Sequence, residues 1–332
     1  MKVTVVGAGS WGTALAVHAV RCGHHVRLWA RESEVVEGIS RRRRNPFFLP
    51  DVELPAGLAV SGDLVASVGG AEAVVCVIPV QFSRAVLTAL APGLGPDAAL
   101  ISASKGIEVV SGERMDQVAA SSLGLAPERF AVLSGPTFAR EVAAGLPAAA
   151  VLAGVDRELV ARLQREFSSP HFRLYGSLDV IGVELAGALK NVVAIAAGLC
   201  TGLGLGHNAL AALLTRGLHE ITRLGVRMGG LPETFRGLAG MGDLVLTCTG
   251  ELSRNRRVGE RLGRGEPLEA VVAGPEVAEG VSTTGAAAVL ARGVGVEMPI
   301  LFVVEEILAG VRSPSEAVAA LMNRELKDEA AL

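Results

Sequence analysis

Three glycines near the amino terminus constrain the fold more than any other feature of the sequence. Gly7, Gly9 and Gly12 have the spacing G-x-G-x-x-G. A β-branched run, Lys2 to Val6, precedes them and predicts a buried strand, and an Ala- and Val-rich run, Thr13 to Val20, follows and predicts a helix. In such a unit the glycines allow a tight turn, close approach of a pyrophosphate, and close packing of helix on strand. The pattern therefore predicts a dinucleotide-binding turn, although an ordinary glycine-rich connection has the same local spacing.

Strand-like and helix-like segments alternate from this turn as far as Ser177, which predicts a doubly wound Rossmann sheet. From about Leu178 strand-like runs become scarce and long Ala/Leu-rich stretches follow. A chain of 332 residues is long enough for about two domains. We therefore predict an α/β fold with an NAD(P)-binding Rossmann domain over residues 1–177 and a mostly α-helical substrate domain over residues 178–332.

Composition and charge exclude several classes of partner. The net charge of −3 argues against a polyanion-binding protein, so we expect no nucleic-acid partner and interpret the run Arg41 to Arg44 as a solvated loop or helix end. The apolar stretch Val183 to Leu199 carries Glu184 and Lys190, so we expect no stable membrane insertion. Four cysteines without C-x-x-C spacing predict reduced, packing thiols of a cytoplasmic protein, and no metal-ligand spacing is present.

The residues after the second predicted strand, His25 to Trp29, bear on the choice of cofactor. NAD-preferring Rossmann domains place a carboxylate there, which accepts a hydrogen bond from the ribose 2′-hydroxyl. This chain has Arg31, and a guanidinium suits a 2′-phosphate better than a hydroxyl. Arg31 therefore predicts NADP as the preferred cofactor, with NAD tolerated because Glu32 follows; a solvated surface arginine is the alternative.

Two segments that follow later strands are candidates for ligand binding. Lys105 lies just past the predicted strand Ala99 to Ser102, and open α/β sheets bind ligands at these carboxyl ends. The turn Ser134 to Thr137 opens a helix, and the start of a helix offers free backbone N–H donors. Lys105 is thus a candidate for substrate or cofactor binding, although a surface lysine is nearly as common at such a place.

Lys190 is the most conspicuous polar residue of the second half, because it lies in an otherwise apolar predicted helix. Lysine is almost never fully buried without a partner, and burial favours the neutral amine, which suits proton transfer near neutral pH. The alternative is a lysine whose ammonium reaches water from the helix edge.

Asp243, in the sequence GMGDL, is a candidate to orient that ammonium, although aspartate is also a common helix N-cap. The cluster Ser253 to Arg257 suits phosphate binding, with a solvated basic loop as the alternative.

Blocks spread over nearly the whole chain resemble those of the bacterial NAD(P)-dependent glycerol-3-phosphate dehydrogenases. The G-x-G-x-x-G motif is common to dinucleotide enzymes, whereas ALKNVVAIAAG followed by GMGDLVLTC and SRNR is specific to this family. The matching blocks are GAGSWGTALA (7–16), SKGIE (104–108), LSGPTFAREV (133–142), ELAGALKNVVAIAAGL (184–199), NALAALLTRGLHEITRLG (208–225), GLAGMGDLVLTCTGELSRNRRVG (237–259) and VAEGVSTT (277–284). The resemblance implies a Rossmann domain followed by a helical domain of the 6-phosphogluconate dehydrogenase C-terminal type.

The resemblance also implies roles for individual residues. Lys190 corresponds to the family's proton donor and acceptor, with Asp243 beside it, and Asn191 and Thr247 are further candidates. The implied cofactor contacts are Gly7, Gly9, Ser10, Trp11, Gly12, Arg31, Lys105, Ala139, Arg254, Val277 and Glu279. The implied substrate contacts are Lys105, Gly135, Thr137, Lys190, Asp243, Ser253, Arg254 and Asn255.

The activity implied by the resemblance is the reversible reduction of dihydroxyacetone phosphate by NAD(P)H to sn-glycerol 3-phosphate, which supplies the glycerol phosphate backbone of phospholipids. Hydride goes to the ketone carbon while Lys190 protonates the oxygen, and we expect a cytoplasmic homodimer. Dehydrogenases of 6-phosphogluconate, 3-hydroxy acids or ketopantoate have a similar domain pairing and are the alternatives within this class. A non-catalytic NADP-binding protein is the alternative outside it, and the joint presence of Lys190, Asp243 and Arg254 argues against it.

Overall fold

The computed structural model describes residues 1–273, 278–326 and 328–329. These residues form two compact units, the first comprising residues 1–105 and 113–183, and the second comprising residues 106–112 and the described residues from Glu184 onward. The main boundary between the units thus follows Val183, whereas we expected it after Ser177. The assignment of separate functions to residues 1–177 and 178–332 stays a prediction.

The first unit is built on an eight-stranded sheet with the order β3-β2-β1-β4-β5-β6-β7-β8. Strands β1 to β6 are parallel in the arrangement of a Rossmann domain, which confirms the predicted fold class. Strand β7 runs antiparallel to β6, a reversal that we did not predict, and β8 is parallel to β7. The strands are β1 (Lys2–Val6), β2 (His25–Trp29), β3 (Leu58–Ser61), β4 (Ala73–Cys76), β5 (Ala99–Ser102), β6 (Phe130–Ser134), β7 (Ala148–Ala153) and β8 (Phe172–Ser177).

Apolar residues on the central strands explain why this sheet forms the core. Val5 of β1 pairs with Leu28 of β2 on one side and with Val75 of β4 on the other, and all three are buried. Such near-continuous apolar strands are typical of parallel sheets covered by helices on both faces. The helices of this unit are α1 (Ser10–Arg21), α2 (Ser33–Arg42), α3 (Leu64–Val68), α4 (Val80–Leu90), α5 (Met115–Leu123), α6 (Ala139–Ala144) and α7 (Arg157–Phe167).

The first helix begins earlier than its composition predicted. We expected it to begin at Thr13, where the apolar run starts, but it begins at Ser10, with Gly9 as its N-cap. The arginine run is a helix end, since α2 finishes at Arg42 and Arg43 turns the chain in the left-handed conformation with φ 52°. Arg43 is only partly exposed and donates to the carbonyl of Leu58 at 3.0 Å, so this arginine has a structural role that its position in a basic run did not indicate.

The second unit is mostly helical, as predicted. Within it, helix α8 and helix α12 approach to backbone contact, because a Cβ at Gly198 would overlap the carbonyl oxygen of Arg256 and a Cβ at Gly259 would overlap that of Ile195. The described helices are α8 (Val180–Gly202, whose first four residues belong to the first unit), α9 (Gly206–Arg227), α10 (Pro232–Arg236), α11 (Asp243–Thr249), α12 (Arg254–Gly263), α13 (Leu268–Val272), α14 (Glu279–Gly293), α15 (Pro299–Leu308) and α16 (Pro314–Met322).

Among the described helices, α8 alone is long and apolar enough to cross a membrane, judged by length and composition. Its most apolar window is 94% buried within the protein, as is typical of a core helix. The four cysteines are free thiols, and Cys76, Cys200 and Cys248 are buried. Burial raises the pKa of the Cys76 and Cys248 thiols to about 12, so these two cysteines pack as small apolar residues.

Candidate active site

In the glycine turn between β1 and α1, two of the three glycines are closely packed and the third faces open space. Gly7 has φ +112°, and a Cβ there would lie 2.5 Å from the carbonyl oxygen of Val77. A Cβ at Gly12 would overlap the carbonyl oxygen of Gly7. A Cβ at Gly9, in contrast, would meet nothing within 4 Å, and Gly9 is the N-cap of α1. The turn therefore presents open space beside a helix amino terminus, which suits the pyrophosphate of a dinucleotide.

The first turn of α1 carries the two predicted cofactor residues that follow Gly9. Ser10 Oγ donates to the carbonyl oxygen of Phe48 at 2.7 Å. Trp11 Nε1 is buried and makes no hydrogen bond with the described part of the chain, so this donor remains to be satisfied by a ligand or by water. The indole and the open face of Gly9 both fit a bound dinucleotide.

Asn45 supports the glycine turn, and the sequence offered no signal that it would. Its Nδ2 donates to the carbonyl oxygen of Ala8 at 2.7 Å and to Thr13 Oγ1 at 2.8 Å. Asn45 is fully buried, so its amide braces the turn from a loop that is distant in sequence.

Arg31 lies two residues beyond the end of β2, where Rossmann folds meet the adenosine ribose. Its side chain is 74% exposed and pairs with Glu32, because Nη2 and Nε donate to Glu32 Oε1 at 2.9 Å and 3.2 Å. The guanidinium is therefore accessible to a ligand and already has a carboxylate partner.

Three predicted substrate residues come together at the carboxyl ends of β5 and β6. Lys105 Nζ and Thr137 Oγ1 both donate to the carbonyl oxygen of Gly135 at 3.1 Å. Gly135 has φ +150°, and a Cβ there would lie 2.8 Å from the Cα of Ala150, so a larger residue does not fit. Ala139, a predicted cofactor contact, begins α6 after this turn. The first unit thus holds an ammonium and a hydroxyl beside one backbone carbonyl.

Lys190 is buried within α8 and has a carboxylate partner. Its side chain is 7% exposed, and Nζ lies 2.7 Å from Asp243 Oδ1 and 2.6 Å from Thr247 Oγ1. The Thr247 hydroxyl also donates to Asp243 Oδ1 at 3.2 Å. The alternative of a lysine that reaches water is therefore wrong, and so is the alternative of Asp243 as an N-cap, because Gly242 is the N-cap of α11.

A turn of π-helix, Leu238–Gly242, places Asp243 at the start of α11. The side chain of Phe235 is fully buried below this turn, and a Cβ at Gly225 would overlap its ring. A Cβ at Gly240 would overlap the carbonyl oxygen of Phe235. Gly240 of the GMGD block is thus required by close packing. Single π-helical turns are frequent at functional sites.

The Ser253–Arg257 cluster is a helix start rather than the solvated loop that was its alternative. Ser253 is the N-cap of α12, and its Oγ accepts a hydrogen bond from the backbone N–H of Arg256 at 3.2 Å. Arg254 is the first residue of α12 and is partly exposed, whereas Asn255 is buried. The helix amino terminus and the Arg254 guanidinium together suit an anionic group such as a phosphate.

Asn255 joins three helices. Its Nδ2 donates to Asn191 Oδ1 at 2.9 Å, and its Oδ1 accepts from the backbone N–H of Gly280 at 2.9 Å. Each of these three residues is next in sequence to a predicted site residue: Asn191 follows Lys190, Asn255 follows Arg254, and Gly280 follows Glu279. We name Asn191, Asn255 and Gly280 the asparagine bridge. Val277, another predicted cofactor contact, lies outside the described residues.

The fold and these side chains define the class of the protein. An open glycine turn on a Rossmann sheet, with a separate helical unit that holds a buried ammonium–carboxylate pair, is typical of nicotinamide-dependent dehydrogenases.

Comparison with known proteins identifies the family within this class. The model of the NAD-dependent glycerol-3-phosphate dehydrogenase N-terminus matches residues 2–160, and the model of the C-terminus matches residues 179–319. The chain is 53% identical to glycerol-3-phosphate dehydrogenase [NAD(P)+] of Trichlorobacter lovleyi over 100% of both chains. It is 52% identical to the protein of that name from Geobacter sulfurreducens, over 99% of this chain and 98% of the relative. The chain belongs to the NAD-dependent glycerol-3-phosphate dehydrogenase family.

A solved structure agrees with this assignment. The crystal structure of glycerol-3-phosphate dehydrogenase from Coxiella burnetii superposes with a TM-score of 0.93 at 41% identity, over 97% of this chain and 99% of that one. The resemblance to the NAD(P)-dependent glycerol-3-phosphate dehydrogenases is therefore confirmed.

Proposed function

We propose that this protein catalyses the reversible reduction of dihydroxyacetone phosphate by NADPH or NADH to sn-glycerol 3-phosphate. The observation that carries the proposal is the buried Lys190 ammonium, 2.7 Å from Asp243, in a chain whose full-length relatives bear the name of this activity. The family assignment favours this substrate over 6-phosphogluconate, 3-hydroxy acids and ketopantoate.

The residues of the first unit fit the cofactor. Gly9 leaves open space at the start of α1 for the pyrophosphate, and Trp11 offers a buried N–H donor. Arg31 offers an exposed guanidinium for a 2′-phosphate, which is the reason to propose NADP as the preferred cofactor and NAD as an alternative. When bound, the reduced nicotinamide supplies the hydride.

Lys190 is the proton donor in the reduction and the proton acceptor in the reverse reaction. Its ammonium stabilises negative charge on the substrate oxygen and gives that oxygen a proton. Asp243 and Thr247 both accept hydrogen bonds from Lys190 Nζ, so they hold the amine in a defined position. Their burial keeps water from weakening these interactions.

The substrate phosphate is held by Arg254, with Ser253 and Asn255 beside it. A guanidinium binds phosphate through two parallel N–H donors, and the start of α12 adds a favourable dipole. Nδ2 of Asn255 carries two hydrogens, of which one bonds to Asn191 and the second remains for the phosphate. Binding the non-reacting phosphate orients the carbonyl.

The decisive experiment follows the absorbance of NADPH and of NADH, side by side, during incubation with dihydroxyacetone phosphate. We expect turnover with both cofactors and a higher kcat/KM with NADPH. 6-Phosphogluconate, a 3-hydroxy acid and pantoate, each supplied with oxidised cofactor, serve as comparison substrates. Faster turnover of any of these would replace the proposed substrate, and no turnover of any substrate would favour a non-catalytic NADP-binding protein.

Replacement of Arg31 by alanine tests the cofactor assignment. We expect the KM for NADPH to rise about 10- to 100-fold, because hydrogen bonds to the charged 2′-phosphate are lost, and the KM for NADH to change by less than about threefold. Arg41→Ala is the matched control, since Arg41 is also an exposed arginine paired with a glutamate, on α2. Equal losses for the two cofactors in Arg31→Ala would mean that Arg31 does not bind the 2′-phosphate.

Replacement of Asn255 by alanine tests the asparagine bridge. The backbone N–H of Gly280 loses its acceptor and the start of α14, which carries Glu279, loses its anchor. We therefore expect NADPH to bind about tenfold more weakly in titrations without substrate, although Asn255 itself is assigned to the phosphate of the substrate. Asn255→Asp keeps the acceptor for Gly280 and should retain most of the NADPH affinity.

Asn208→Ala, at an exposed asparagine of α9, is the control for this comparison. Unchanged NADPH affinity in Asn255→Ala would show that the bridge does not position the cofactor-binding residues.

The cellular role follows from the product. We propose that the enzyme acts in the cytoplasm, without nucleic-acid partner or stable membrane insertion, and supplies the glycerol phosphate backbone of phospholipids. Four free thiols support a reducing compartment. We also propose a homodimer, for which light scattering would give about twice the 34.1 kDa mass of one chain.

A further inference from the structure

An ion pair within one dipeptide lies where the fold meets the ribose of a dinucleotide. Arg31 Nε and Nη2 both donate to the same oxygen of Glu32, Oε1, and the Glu32 side chain is 32% exposed against 74% for Arg31. In Rossmann domains this place holds either a carboxylate that accepts from a 2′-hydroxyl or an arginine that binds a 2′-phosphate. Here both kinds of residue are present and bound to each other.

The backbone of this dipeptide is held from both sides, so the pair has a defined position. Ala30 N donates to Ser61 O at 3.0 Å, which ties the end of β2 to the end of β3. Glu32 is the N-cap of α2, and its carbonyl oxygen accepts from Val35 N at 3.1 Å and from Val36 N at 3.2 Å. Only the two side chains are free to rearrange when a ligand arrives.

We propose that Glu32 sets the balance between NADPH and NADH by competing with the 2′-phosphate for Arg31. A 2′-phosphate must take the guanidinium from Glu32 and place its own negative charge beside that carboxylate. A 2′-hydroxyl can instead donate to Glu32 while the ion pair stays intact. Glu32 therefore weakens NADPH and strengthens NADH, which explains how one site accepts both.

The strength of the pair fits this role. An exposed arginine–glutamate pair contributes little stability, so a doubly charged phosphate can break it. The amino terminus of α2 begins at Ser33 and favours an anion at the same place. NADPH is thus the stronger ligand, and Glu32 limits its advantage without abolishing it. The inference rests on the proposed dinucleotide binding, but it does not depend on the proposed substrate.

The test compares Glu32→Gln, which removes the charge and keeps the shape, with Glu34→Gln as the matched control. Glu34 is an acidic residue in the first turn of the same helix, and its carboxylate accepts from Ser33 Oγ at 3.1 Å. The probes are adenosine 2′,5′-bisphosphate and adenosine 5′-monophosphate, titrated into the full-length protein by calorimetry. The same variants are then compared by kcat/KM with NADPH and NADH.

In Glu32→Gln we expect adenosine 2′,5′-bisphosphate to bind about two- to fivefold more tightly and adenosine 5′-monophosphate about two- to fivefold more weakly. The ratio of the two dissociation constants should therefore change by about tenfold. Glu34→Gln should leave this ratio within about twofold of the wild type. An unchanged ratio in Glu32→Gln, or an equal change for both nucleotides, overturns the proposal.

A wild-type protein that binds neither nucleotide also overturns it, together with the proposed dinucleotide binding. A protein with the expected shift in ratio but no activity toward dihydroxyacetone phosphate would support the role of Glu32 and reject only the substrate.

Discussion

Replacing Lys190 by methionine is expected to lower kcat for dihydroxyacetone phosphate by about 10³-fold or more. The variant loses both the proton donor and the positive charge that stabilises the developing alkoxide, and each of these contributes about 10²-fold or more in well-studied enzymes. Methionine fills a similar volume in the apolar surroundings of α8, but the buried Asp243 carboxylate loses its ammonium partner, so we also expect a loss of stability of about 3–5 kcal/mol. Circular dichroism is therefore used to select conditions in which the variant is folded. The measurement is steady-state kinetics with NADPH, together with NADPH titration.

The affinity for NADPH should change by less than about threefold in Lys190→Met, because the cofactor contacts are assigned to other residues. Lys2→Met is a suitable control, since Lys2 is exposed on β1 and belongs to no predicted site. Turnover close to that of the wild type would remove Lys190 from the chemistry, whatever its burial.

Replacing Asp243 by leucine is expected to lower the free energy of unfolding by about 3–5 kcal/mol. The substitution leaves the Lys190 ammonium buried without its carboxylate, and breaking one side of a buried ion pair has this cost. Urea unfolding monitored by circular dichroism measures the loss. The variant should also lose most of its activity, because the amine is no longer held in place.

The double variant Lys190→Met with Asp243→Leu separates charge from packing. Two apolar residues in place of the buried pair should restore most of the stability, because a buried ion pair is often no more stable than its apolar replacement. Activity should stay absent, since the proton donor is gone. If the double variant is as unstable as Asp243→Leu, the loss in free energy of unfolding comes from packing around Asp243 and not from an unpaired charge.

The glycine turn could be predicted from sequence because its constraints are local. The three glycines, the strand before them and the helix after them lie within a few residues of each other, and the close approach of Gly12 to the Gly7 carbonyl belongs to that short segment. The Val77 backbone that crowds Gly7 is distant in sequence, and only the structure placed it there. The burial of Lys190 was predictable for a similar reason, since apart from Asn191 the residues within four positions of it on α8 are apolar or glycine.

The partners of these residues were less accessible to sequence reasoning. Asp243 could be named as a candidate partner of Lys190. Because the two residues are 53 positions apart in sequence, no local pattern indicated that their side chains meet, and the structure places Nζ and Oδ1 2.7 Å apart. Asn45 is separated from Ala8 by 37 residues and carries no motif, so its support of the glycine turn was missed. The hydrogen bond from the backbone N–H of Gly280 to Asn255 was missed because almost every residue has a backbone N–H, so the residue type does not indicate which one is bound.

By itself the sequence determined the fold class, the dinucleotide turn and the family, because these depend on residue periodicity, on glycine spacing and on blocks that are contiguous in the chain. Only the tertiary structure decided that Lys190 shares Asp243 with Thr247, that the asparagine bridge joins three helices, and that Arg31 is paired with Glu32. It also decided the reversed direction of β7. Hydrogen bonds and ion pairs between distant segments depend on where packing brings the backbones, and no local pattern of residues encodes that geometry.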